Sequence, residues 1–148
     1  MPEPAPPRLA SPAALEAGDP ERYTGSVRLA RLLRAGDDTV RVYEVCFAPG
    51  SRTVWHVHSG EQMLVALIGR CVVQIADAPV RQLGPGEGIR VPGGVPHWHG
   101  APPDAPGSHL ALNVHGATDW GRPVSDTEFS RAAQFMQQGQ ARPDARGS

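Results

Sequence analysis

Between Tyr23 and Val124 the chain runs in short stretches where apolar and β-branched residues alternate with polar ones, each closed by a turn string such as "AGDD", "APGS", "GPGEG", "PGGVP" or "APPDAPG". A period of two puts successive side chains on opposite faces of a strand. Thr39–Phe47 and Ser108–Asn113 show it most clearly, and turn signals roughly every 8 to 12 residues predict an all-β sandwich or barrel. The period changes at Ser125. Ser125 and Glu128 have the spacing of a capping box, and Phe129, Ala132, Ala133 and Met136 recur as they would on one helix face. The division this predicts is a Pro-rich flexible segment over 1–22, a barrel over 23–124, a helix over 125–139 and a flexible tail over 140–148. Within the first segment, Ser11, Pro12 and Gly18 suit the start and end of one short helix.

Composition narrows the partners. A chain of 148 residues with 40% hydrophobic content fits one domain. Its longest apolar run, Met63–Ile68, falls far short of the roughly 18 to 20 residues a membrane helix needs. The opening residues lack the basic and apolar regions of a secretory signal. Cys46 and Cys71 form no Cys-x-x-Cys pair and read as small buried thiols, so a cytoplasmic protein is expected. With 14 basic and 15 acidic residues and no long run of one sign, neither nucleic acid nor a membrane surface is the expected partner; a small molecule is.

The candidate chemistry starts at "WHVH", residues 55–58. Two residues apart on a strand, His56 and His58 share a face and can aim at one point, which suits a metal ion. An H-x-H pair alone is weak, because exposed strands carry such pairs incidentally. The wider spacing is more specific. Gly50 is followed after five residues by His56, then His58, Gln62 after three more and Gly69 after six; Gly86 is followed after five by Pro92, then Gly94 and, after two, His97.

These two spacings resemble the two motifs of the cupin superfamily. The resemblance covers about 100 residues and implies a double-stranded β-helix, or jelly-roll barrel, with a divalent metal at its mouth. It implies His56, His58, Gln62 and His97 as ligands, with manganese, iron, nickel, copper or zinc as the ion. Two positions depart from the family pattern: Gln62 stands where glutamate is usual, and Ala101 where asparagine often ends the second motif. A neutral ligand set leaves the ion's charge uncompensated and makes it a stronger Lewis acid. Glu61 is the alternative carboxylate, but alternation points it away from the axis if Gln62 points inward.

Longer strings, "TVWHVHSGEQML", "PGGVPHWHGAP" and "HLALN", with "RYTGSVRL" before and "DWGRPVSDTEF" after, resemble a subset of small cupins that includes hydroxynitrile lyases. This implies a lyase in which the metal binds a substrate oxygen and His109 moves the proton; His99, two residues beyond His97 and so on its face, suits a donor that supports a ligand from behind, a second proton carrier or a spare ligand. A hydrogen-bonded core histidine is the plain alternative for His109. Tyr43, Val45, Thr53 and Asn113 are expected beside the substrate, Thr53 only if the chain bends before His56; for Tyr43, Val45 and Phe47, core packing competes. Trp55, Trp98 and Trp120 are expected in barrel packing or subunit contact, and His115 in solvent or an interface. The same ligands would also serve an iron-dependent dioxygenase, an isomerase or decarboxylase, or a non-catalytic metal or ligand binder. A homodimer or homotetramer is expected.

Overall fold

Strand alternation builds two sheets whose inner faces meet. The computed structural model describes residues 14–33 and 39–140. Along the chain come β1 (Glu16–Ala17), β2 (Tyr23–Thr24), β3 (Val27–Leu32), β4 (Val40–Phe47), β5 (Arg52–Thr53), β6 (His56–His58) and β7 (Gln62–Gly69). β8 (Cys71–Ile75), β9 (Arg81–Leu83), β10 (Gly88–Val91), β11 (His97–Gly100), β12 (Gly107–Val114), β13 (Thr118–Trp120) and α1 (Asp126–Gln140) follow. One sheet has the order β1-β3-β4-β12-β7-β10. In the other, the order is β13-β6-β11-β5-β2, with β8 pairing β11 and β9. All pairings are antiparallel. This is an all-β jelly roll with a C-terminal helix: the periodicity predicts the strands and the helix, and the motif resemblance implies the jelly roll.

β11 shows how the sequence divides its faces. Trp98 points outward into a cluster with Val72, Val124, Phe129, Ala132, Ala133 and Met136, so α1 packs on the outside of this sheet. His97 and His99, one step to either side of Trp98, project into the space between the sheets and are buried. The capping box forms as expected: the Glu128 amide donates to Ser125 Oγ at 3.1 Å, and the Ser125 amide donates to Glu128 Oε1 at 3.2 Å. Arg52, 5% exposed, ties the helix start to β5. Its Nη2 donates to Val124 O and Asp126 Oδ1, both at 2.8 Å, and its guanidinium lies 4.5 Å from the Phe129 ring centre. Gly100 is required where β11 passes β5, since a Cβ there would stand 2.7 Å from Arg52 Cα.

Two local expectations differ from the structure. Glu16–Ala17 pairs with Arg28 and Leu29 as a strand rather than ending a helix over Ser11–Gly18; the ladder to β3 outweighs the marginal stability of an isolated short helix, and Ser11 and Pro12 lie outside the described residues. Cys71 is buried, but Cys46 is only half-buried, on β4.

Candidate metal centre and cavity

Five of the chain's six histidines, His56, His58, His97, His99 and His109, are buried. β6 supplies the first pair, β11 the second and β12 the fifth. Ladder pairing sets His56 opposite His97, and their ring centres lie 4.3 Å apart. Ligand-capable ring nitrogens of His56, His97 and His99 fall within 4.8 Å of one another, and the His58 ring centre is 4.9 Å from that of His56 and 5.2 Å from that of His97. Gln62 enters from the opposing sheet, with Oε1 2.9 Å from His97 Nε2.

Hydrogen bonds on the far side of each ring fix what it offers inward. His56 Nδ1–H donates to Val54 O at 2.8 Å and His97 Nδ1–H to Val95 O at 3.0 Å. A carbonyl can only accept, so in the neutral rings both Nε2 atoms carry lone pairs. His58 Nδ1 is bonded to Thr118 Oγ1 at 2.8 Å, and its buried Nε2 has no partner. Gln62 Nε2 donates to Asn113 Oδ1 at 2.8 Å, which turns Oε1 toward His97. Two lone-pair atoms, Gln62 Oε1 and His97 Nε2, thus face each other at 2.9 Å. That pairing is unfavourable by itself and is relieved by a cation.

Protonation does not remove the conflict, because the rings resist charge. Burial, reinforced by His97, pushes His56 down to about 3 and His58 to about 4. Burial also lowers His97 and, with His109 beside it, holds His99 well below the usual histidine range. Neutral imidazoles and an amide carbonyl suit a divalent transition metal. Glu61 faces away, its carboxylate 2.8 Å from Arg90 Nε.

A cavity of about 350 Å³ opens on this cluster, lined by His56, His58, Gln62 and His99 and, among the expected substrate contacts, by Tyr43, Val45 and Asn113. His109 lies behind His99, fully buried and outside the lining, with Nε2 2.9 Å from His99 Nδ1. Thr53 does not line the cavity either: the bend before His56 leaves its Oγ1 accepting from the His99 amide at 3.1 Å, where it holds β11 in place.

Trp120 packs in the barrel as expected, with its ring centre 6.3 Å from that of Tyr23, and also lines the cavity. Opposite His56 on β13, its ring centre is 4.9 Å from that of His56. Arg22, Arg41 and Thr118 also line the cavity. Arg41 was legible in principle, two residues before Tyr43 on the same face, whereas nothing local marks Thr118 as the support of His58. Trp98 and Trp55 pack as expected with the helix cluster, and His115 is exposed.

The chain belongs to the cupins. The cupin domain model matches residues 43–113. An (R)-mandelonitrile lyase from Granulicella tundricola is 35% identical over 118 residues, covering 77% of this chain and 90% of that protein. A cupin-like protein from Thermotoga maritima superposes with a TM-score of 0.76 at 33% identity, covering 80% of this chain and 92% of the other. The fold is also shared, at 23% identity and a TM-score of 0.57, with a DMSP lyase from Ruegeria pomeroyi; that match covers 71% of this chain and 54% of the lyase. Among the described residues, no helix is long and apolar enough to cross a membrane.

Proposed function

We propose that the chain is a metal-dependent lyase that cleaves a carbon–carbon bond in a small hydroxylated substrate, in the manner of a hydroxynitrile lyase. The observation that carries this reading is the opposed pair of lone-pair atoms, Gln62 Oε1 and His97 Nε2, beside the unpartnered His58 Nε2. His56, His58, Gln62 and His97 would hold the ion. When bound, it supplies Lewis acidity toward a substrate oxygen.

The chain's own part is orientation and proton transfer. His99 lines the cavity with a buried, unpartnered Nε2, positioned to take the hydroxyl proton. As it does so, its Nδ1 proton passes to His109 Nε2, 2.9 Å away. For a cyanohydrin, the oxygen's electron pair then forms the carbonyl, the bond to the nitrile carbon breaks, and cyanide leaves with that bond's electrons. The mandelonitrile lyase relative supports this chemistry.

The test is elemental analysis of the purified full chain, then mandelonitrile cleavage followed by benzaldehyde absorbance with an oxygen electrode in parallel. About one equivalent of a divalent transition metal and cleavage that chelation abolishes and metal restores are expected. Oxygen uptake without cleavage would replace the lyase reading by a dioxygenase, and neither activity by a metal or ligand binder. Copies of the chain are also proposed to assemble as a homodimer or homotetramer, supported by exposed Ile68 and Leu67 on β7 and checked by sedimentation. The two free cysteines support a reducing, cytoplasmic setting.

A further inference from the structure

We propose that the substrate carries a carboxylate, bound by Arg41; this rests on the reading of the cavity as the substrate site. The ladder places Arg41 opposite Asn113 and Asn113 opposite Gln62, so a guanidinium, a carboxamide and the candidate ligand amide form one polar row across β4, β12 and β7. Arg41 is half-buried and lines the cavity. Its Nη2 donates to Gly116 O at 2.9 Å, while its buried Nε has no partner. With Nε closed off and one Nη2 hydrogen given to Gly116 O, the Nη1 hydrogens and the second Nη2 hydrogen are left as the end-on pair that matches a carboxylate.

The charge balance of the cavity points the same way. Arg22 is a second guanidinium in the wall, 5.1 Å from the Trp120 ring centre, and Asp19, 3.7 Å from its Nε, offsets it in part. Among the described residues, no Asp or Glu lines the cavity. The proposed ligands are neutral, so a bound divalent ion would add charge of the same sign. A concave wall of one sign concentrates the opposite sign. Its volume of about 350 Å³ is at the small end of ligand cavities. The occupant it fits is a small hydroxy acid, its hydroxyl among His56, His58 and His99 and its carboxylate toward Arg41.

The alternative role for Arg41 is a brace for the loop at Gly116. Calorimetric titration of the full-length protein with glycolate, lactate, malate and mandelate, each against its neutral amide, separates the two. Measurements use both metal-replete and chelator-treated protein, because a metal alone would favour the acid. At least one acid is expected to bind tenfold or more tighter than its amide. In chelated protein, Arg41→Gln should weaken that acid tenfold or more and change the amide less than twofold, and Arg41→Lys should restore part of the difference. Equal binding of acid and amide throughout, or an Arg41→Gln loss common to both, overturns the proposal. Should Arg41→Gln fail to fold, the wild-type chelated protein decides alone: the acid preference must be present and fall with rising salt. Protein that takes up no divalent metal when titrated with it, yet discriminates acid from amide, sinks the metal reading and leaves this one standing; metal-dependent cleavage without discrimination does the reverse.

Discussion

His99 and His109 share a hydrogen bond of 2.9 Å between Nδ1 and Nε2, yet only His99 reaches the cavity. Phe47 packs its ring 5.2 Å from His109 and 6.1 Å from His99, sealing the pair from water on that side. In the proposed lyase the inner histidine therefore works through the outer one.

Replacing the inner member tests this. His109→Gln should keep the metal content and lower kcat about a hundredfold, the scale of general acid–base catalysis. His99→Gln should cost at least as much, and combining the two should cost little more than His99→Gln alone. Single-turnover rates with elemental analysis decide it; additive losses would disprove a relay.

The ligand set makes a separate prediction. His58→Ala and Gln62→Ala should each lower bound metal, whereas Glu61→Ala, which removes only the exposed partner of Arg90, should not. If His99→Ala lowers metal content and His58→Ala does not, the ion sits among His56, His97 and His99.

Thr118 holds the far nitrogen of His58. Thr118→Val should lower metal affinity about tenfold, the lower end of the range for groups that orient a ligand, with little change in unfolding midpoint of the metal-free protein. Competition with a chromophoric chelator measures this.

Acid should destabilise the metal-free protein earlier than a carboxylate-dominated fold. Burial lowers His109 from 6.5 to about 4 and His58 likewise to about 4. Between those values the unfolded chain binds protons that the folded chain refuses, so stability is fully present above about pH 6.5 and falls as pH drops toward 4. The His109 shift alone corresponds to about 3 kcal/mol. Urea midpoints at pH 7, 6, 5 and 4 should fall in step, and His109→Gln should flatten the slope.

At the outer face, Arg52→Ala should destabilise the protein by about 2 kcal/mol, because the buried Val124 carbonyl loses its donors. Thermal unfolding reads the effect.

The sequence was most readable where one strand face governs the outcome. His56 with His58, and His97 with His99, declare a common face by spacing alone, and Gln62 against Glu61 follows from alternation. What could not be read depends on which strands become neighbours. Thr118 supports His58 from 60 positions away, Trp120 reaches the wall only because β13 pairs with β6, and Glu16–Ala17 is a strand only because β3 offers an edge. Whether His109 faces the substrate or the core could not be decided for the same reason: a strand position gives a face, but not what stands in front of it.

The two sides of the cavity differ in how freely they can change. On β11 every residue is buried, with the helix anchored on Trp98 and the imidazoles on its neighbours, so almost any replacement disturbs folding and chemistry together. On β4, Val45 belongs to the core, but half-buried Arg41 and Tyr43 border the same space without holding the helix or standing among the candidate ligands. New substrates can therefore be acquired from the β4 side one residue at a time, while β11 stays fixed as the part of the machine that every such variant must inherit.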